Sequence, residues 1–241
     1  MGNFINVVGK WGKKVVLGLA GAGLAICLAS GTASAQSKFD AFGGYSYGTN
    51  SFTFNCDISF CDPGLHGYGG SFGYNFTPHV ALEAAFTGHL GTPTTDSRPA
   101  SATVNGFADT ADQHLYTYTF GPRLSVPTGN FNLFTHFLVG AGHLSENATE
   151  TCFQSNGDGE CFSTEKGTFK GSGFMMKTGG GVDWNHGGWG LRLLEVDYVH
   201  SQFPVTESFT GDSEGPQTFQ ATGNMFELVT GITFHFGGSV K

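Results

Sequence analysis

The stretch MFELVTGITFHF, residues 225–236, decides how this chain folds. Phe226, Leu228, Thr230, Ile232, Phe234 and Phe236 share one parity, while Met225, Glu227, Val229, Gly231, Thr233 and His235 share the other. A period of two is the period of a strand. One face is apolar and aromatic, and the other is mostly small, polar or charged. A soluble sandwich would turn the apolar face inward. A closed barrel in lipid does the opposite, with the apolar face outward and the polar face lining a lumen.

Seven further stretches repeat the pattern, and the connections between them alternate short and long. The predicted strands are 38–47, 66–76, 79–89, 113–126, 131–143, 171–184 and 189–203, followed by 225–236. Thr77-Pro78, Pro127-Thr128-Gly129-Asn130 and Asn185-His186-Gly187-Gly188 supply the short turns. The long connections are 48–65, 90–112, 144–170 and the segment ending near Gly223. In strand 131–143, Asn132, His136, Gly140 and Gly142 are placed inside, which also turns Phe134 and Leu138 inward against the rule. Arg192 falls on the outward parity near a turn, where its head would snorkel into the interface. The predicted fold is all-β, an eight-stranded antiparallel transmembrane β-barrel. An open sheet is excluded, because unpaired edge groups find no partner in lipid. A soluble secreted β-sandwich is the alternative fold.

The first 35 residues read as a signal peptide. Lys10, Lys13 and Lys14 precede an apolar run from Val15 to about Leu28, and Ala33-Ser34-Ala35 is a small-residue cleavage motif. Two domains follow: 1–35 as signal and 36–241 as barrel. A lipid-modified Cys27 fits poorly, because the bulky Ile26 directly precedes it. No later apolar run reaches the length of a spanning helix, yet the chain carries 24 Phe and 39 Gly. Strands that are half polar reconcile these facts: aromatics serve the lipid face and its girdles, and glycines serve turns and crowded lumen positions.

Three of the 11 basic residues and none of the 19 acidic ones precede residue 36, so the remainder is strongly acidic. That balance excludes nucleic acid as a partner, since a phosphate backbone needs a cationic footprint. Beyond Cys27, four cysteines remain: Cys56, Cys61, Cys152 and Cys161. Three connectivities are open, and only Cys56–Cys61 with Cys152–Cys161 closes each bridge within one connection. A zinc site is the rival reading, with spacings unsuited to paired C-x-x-C knuckles and no close His in either set. No cofactor or metal is expected.

Phe42-Gly43-Gly44-Tyr45-Ser46-Tyr47, Thr119-Phe120-Gly121-Pro122-Arg123, Gly179-Gly180-Gly181-Val182-Asp183, Glu195-Val196-Asp197-Tyr198 and the closing Gly231-Ile232-Thr233-Phe234-His235-Phe236-Gly237 together resemble the OmpA-like eight-stranded outer-membrane β-barrels. The resemblance spans nearly the whole chain after residue 35. It implies a bacterial outer membrane, with lipid and lipopolysaccharide around the barrel and short turns on the periplasmic side. It also implies that Phe236 is the aromatic signal read by the barrel-assembly machinery, here with five residues after it. A peptidoglycan-binding domain is not expected, because the sequence ends after the last strand.

Glu83, Arg123, Lys177, Asp183, Glu195, Asp197 and Glu227 are the candidate lumen charges. Eight strands leave an interior just wide enough for side chains to fill it. A plug of ion pairs is therefore expected, because buried charges must be paired. The sharper alternative is a gate, in which Arg123 or Lys177 changes partners to open a narrow cation-favouring path. A lipid A-modifying enzyme is a further alternative, through His200-Ser201 and Asp197. Adjacent strand residues point to opposite faces, so His200 and Ser201 make a poor base–nucleophile pair. The long, polar connections are candidates for binding an extracellular ligand. Asn147-Ala148-Thr149 matches a glycosylation sequon that has no meaning in a bacterial outer membrane.

Overall fold

The computed structural model describes residues 37–49, 64–91, 94–98, 106–153, 164–209 and 215–239. The predicted signal segment and Cys56, Cys61 and Cys161 lie outside these residues. Among the described residues nine strands follow one another: β1 (Ser37–Thr49), β2 (Leu65–Asn75), β3 (Val80–Leu90), β4 (Thr94–Arg98), β5 (Gly106–Thr128), β6 (Phe131–Phe153), β7 (Thr164–His186), β8 (Trp189–Phe209) and β9 (Gln217–Ser239). Each strand of the ring is antiparallel to its neighbours, in the order β3-β2-β1-β9-β8-β7-β6-β5, and β3 pairs with β5 to close it. The result is an eight-stranded barrel. β4 stands outside the ring and pairs with the outer part of β5, from Thr94↔Ala111 to Arg98↔Phe107.

The turns form where the sequence demands them. Gly129 and Gly187 take φ values of 59° and 64°, the left-handed region that side chains resist and glycine accepts. Between turns, alternation sorts the two faces. Phe226, Ile232 and Phe234 are about half exposed, whereas Met225, Glu227, Val229 and Thr233 are buried. Outward aromatics gather at two levels. Tyr45, Tyr68, Tyr118 and Tyr198 lie toward the long connections, and Tyr74, Phe76, Phe131, Trp184, Trp189 and Phe236 lie toward the short turns. Two such girdles bracket an apolar band about 25 Å tall.

The strands outrun the predicted ones on one side of the barrel. β5, β6, β7 and β9 have 23 residues and β8 has 21, against 13, 11 and 11 for β1, β2 and β3. Much of the connections 90–112, 144–170 and 204–223 is therefore strand rather than loop. Ladder pairing accounts for it: β6 and β7 stay in register from Phe131↔Trp184 to Thr151↔Thr164. Cys152 lies within β6, opposite Phe107 on β5.

The second departure concerns Arg192, which is buried rather than snorkelling outward. The register of β8 shifts against both neighbours here: Arg192 pairs with Gly231 and Glu195 with Val229, while Val182 pairs with Leu194 and Asp183 with Arg192. One extra residue in β8 makes a β-bulge, so Leu193 and Leu194 both face outward and Arg192 and Glu195 both face inward.

Candidate functional site

The site is the lumen, and it is built in three tiers. The tier nearest the short turns centres on Asp40 of β1. Arg123 donates to Asp40 Oδ2 at 2.5 Å, Asn75 donates to the same oxygen at 2.7 Å, and His235 Nδ1 donates to Oδ1 at 2.8 Å. His235 Nε2 lies 2.9 Å from the Asn185 side-chain amide. Gly73 makes room for this tier, because a Cβ there would sit 3.2 Å from Arg123 Nη2.

The middle tier holds Arg192, whose Nε donates to Asp183 at 2.9 Å and whose Nη1 donates to Glu195 at 2.5 Å. Its guanidinium lies between the rings of Phe42 and Phe134, 4.2 and 4.4 Å from their centroids. This explains the inward Phe134: its ring face covers a buried cation. His136 spans Glu83, through Nδ1 at 3.4 Å, and Asp197, through Nε2 at 2.9 Å. Both ring nitrogens face carboxylates, so both act as donors. Arg123 Nη1 also approaches Glu83, at 3.9 Å.

The next tier centres on Lys177, whose Nζ is 2.7 Å from Glu227, 3.0 Å from Asp197 and 3.9 Å from Glu195. Ser46 donates to Glu227 at 2.5 Å and accepts from His89 Nε2 at 2.8 Å. Thr87 and Thr117 bond each other nearby, 2.5 Å apart.

Above the charges, the inward positions turn apolar. Leu115, Leu144, Met175, Val199, Phe203, Val205, Ala221 and Met225 form one buried cluster, with Phe169 packed against it. The sequence reading expected the inward face to be mostly small, polar or charged, and here it is apolar. The cluster's residues lie on the same parity as the lumen charges of their own strands, so alternation alone was enough to find them.

Every candidate charge, namely Glu83, Arg123, Lys177, Asp183, Glu195, Asp197 and Glu227, is buried in this interior. Asp40, His89, His136 and Arg192 are buried there too, and His235 is partly buried beside Asp40. Asp40 and His136 stood on the inward parity in the sequence. Arg192 was hidden by the bulge, whose only trace is the Leu193-Leu194 doublet interrupting the alternation. The side chains of Cys56, Cys61, Cys152 and Cys161 lie outside what the structure describes, and Phe236 faces outward at the girdle.

Two chemical alternatives can be tested against the geometry. His136, Glu195 and Asp197 bring one potential ligand atom each within 4.8 Å of one another. The space between them is bordered by Lys177 on Asp197 and Arg192 on Glu195, cations that oppose a metal ion. Ser46, His89 and Glu227 hold the residue types of a hydrolytic triad but not its order. A relay needs the base bonded to the nucleophile through one ring nitrogen and to the acid through the other. Here Ser46 gives its proton to Glu227 itself, and His89 Nδ1 has no hydrogen-bond partner among the described residues. His200 bonds Asn224 on the outer face, whereas the Ser201 hydroxyl, on the inner face, bonds the Gly223 carbonyl.

The profile of the family described as outer membrane protein beta-barrel domain matches residues 19–201. No curated protein is significantly similar in sequence. Among solved structures, the attachment invasion locus protein Ail of Yersinia pestis is 16% identical, with a TM-score of 0.45, over 83% of this chain and 99% of that one. Neisserial surface protein A is 12% identical, with a TM-score of 0.38, over 83% and 98%. The outer membrane protease OmpT of Escherichia coli is 12% identical, with a TM-score of 0.40, over 85% and 99%.

Proposed function

The chain belongs to the outer membrane protein β-barrel domain family and resides in the bacterial outer membrane, and from there we propose that it is a non-enzymatic, surface-interacting barrel with a plugged lumen. The observation that supports this reading is three tiers of paired buried charges beneath a cluster of buried apolar side chains. An ion crossing the lumen would have to break buried ion pairs and then pass side chains that offer it no ligand.

With the lumen closed, the surface remains for function. Strands of 21–23 residues exceed the ~10 that span the membrane by about a dozen. At ~3.3 Å rise and ~40° tilt they stand roughly 25–30 Å above it. The barrel is thus a rigid pedestal for its connections, which would meet an extracellular ligand. Outer-membrane lipid and lipopolysaccharide surround the band, and the barrel-assembly machinery would read Phe236. Local disulfides, Cys56–Cys61 and Cys152–Cys161, would staple the display.

The test is single-channel recording of refolded protein in planar bilayers, beside the Phe203→Ala variant. Wild type should be silent and the variant, with its cap breached, should show small cation-favouring steps. Steady wild-type conductance sensitive to Arg123→Ala would replace the plug with a gate. Lipid A turnover lost on His200→Ala would replace it with an enzyme.

A further inference from the structure

We propose that the inward face of the extension above the membrane docks a cationic, extended peptide segment of an extracellular protein. This deepens the surface-interaction reading and rests on it. Of the exposed large apolar side chains among the described residues, Phe209 and Phe219 alone stand on the inward parity, 42% and 36% exposed. Both lie in the parts of β8 and β9 that rise beyond the hydrocarbon band, where lipid does not cover them. Aromatic surface shown to water in this way marks an interaction site.

Three rungs of the ladder shape this face. The first runs through Glu146, Phe169 and Glu207, so Phe169 of β7 stands between two acids on its neighbours. The second runs through Ala148, Gly167 and Phe209. Gly167 makes room for the exposed ring: a Cβ there would sit 2.8 Å from the Phe209 ring and 3.4 Å from the Phe169 ring. The two rings meet edge-on, 6.0 Å apart. The third rung sets Asp96, Asp109, Glu150 and Glu165 at one level on four adjacent strands.

The occupant follows from charge and spacing. Phe209 lies between the acids of the first and third rungs. Arg98, opposite Phe107, is the one Lys or Arg of this parity in the extension among the described residues, whereas Lys166 and Lys170 stand on the outward parity. Acids directly opposite one another oppose strand pairing, and a cationic ligand relieves that opposition. Rungs of one face are two residues apart, ~6.7 Å, which is also the spacing of alternate side chains on an extended peptide. A cation, an apolar residue and a second cation at alternate positions therefore match the three rungs in order. Lys or Arg stems also pack on aromatic rings while their heads meet carboxylates.

The experiment follows a dye-labelled peptide, Ser-Lys-Ser-Phe-Ser-Lys-Ser, by fluorescence anisotropy as it meets the refolded full chain in phosphatidylcholine nanodiscs, beside empty nanodiscs. Wild type should bind it, more weakly as salt rises, and should ignore the same peptide with Glu in place of Lys. Phe209→Ser, and Glu150→Gln combined with Glu165→Gln, should each weaken binding about tenfold. Asp112→Asn, which removes an acid of the outward parity, should leave it unchanged. Heat-modifiable gel migration confirms that the variants fold. No binding by wild type, or an equal loss in Asp112→Asn, would overturn the proposal. So would affinity indifferent to Phe209→Ser with displacement by spermidine, which would name a small cation as the occupant. Any of these beside a silent wild-type channel leaves the plugged, surface-interacting reading standing, because that reading falls to steady conductance.

Discussion

Replacing Lys177 with Met would remove the charge at the centre of the lumen and keep most of the side-chain volume. Lys177 is fully buried and stands 2.7 Å from Glu227 and 3.0 Å from Asp197. Its two main partners differ in what the substitution leaves them. Asp197 keeps His136 at 2.9 Å. Glu227 keeps only the Ser46 hydroxyl and His89, which are far weaker counterweights. Stranding one buried charge costs about 3–5 kcal/mol, so Lys177→Met should lose that much stability. Adding Glu227→Gln removes the stranded charge. The double variant should therefore be more stable than the sum of the single changes predicts, by about 1–3 kcal/mol. The assay is reversible urea unfolding in vesicles, read by the fluorescence of Trp184 and Trp189. A Lys177→Met loss under about 1 kcal/mol, the level of an exposed pair, would refute the reasoning. So would strict additivity in the double variant.

Deleting Leu193 removes the bulge and restores strict alternation, with Arg192 inward, Leu194 outward and Glu195 inward, so the variant should regain heat-modifiable migration. Leu193→Ala, at an outward position, should also refold with wild-type yield; a deletion variant that fails to refold while Leu193→Ala succeeds would show that Leu193 is not a surplus residue in the ladder. In the extension above the band, burial raises the pKa of Glu146, whose Oε2 accepts from Gln113 Nε2 at 3.3 Å. A carboxyl whose folded pKa lies above its unfolded value favours the folded state at low pH and opposes it as pH rises through the folded pKa. Stability should therefore fall slightly as pH rises through that raised value, and Glu146→Gln should abolish the slope in urea titrations at several pH values. Phe236→Ala should lower the amount of protein in isolated outer membranes while leaving refolding in vitro intact. A matching loss in both would make Phe236 a packing residue instead of an assembly signal.

Much of the architecture was legible because a barrel writes its facing into the sequence at period two. The stretch 225–236 alone assigns Phe226 to lipid and Glu227 to the lumen, and eight such stretches with alternating connections imply closure. Strand ends were less legible. Residues 144–153 and 164–170 carry polar, loop-like composition, and only the pairing of β6 with β7 reveals them as a continuing ladder.

The sequence by itself determined the eight strands of the ring, their antiparallel order and the sidedness of nearly every residue in them, because each follows from alternation and turn chemistry within a short span; β4, outside the ring, it did not show. Only the tertiary structure decided which charges meet. Asp40 and Arg123, or Lys177 and Glu227, lie far apart in the chain and become neighbours through strand register and barrel curvature. It also decided that Arg192 belongs inside, since one inserted residue reverses parity without changing composition. The apolar cap is tertiary in the same sense. Met175, Phe203 and Met225 sit on three different strands, and no local pattern says that the barrel brings them together in one buried cluster.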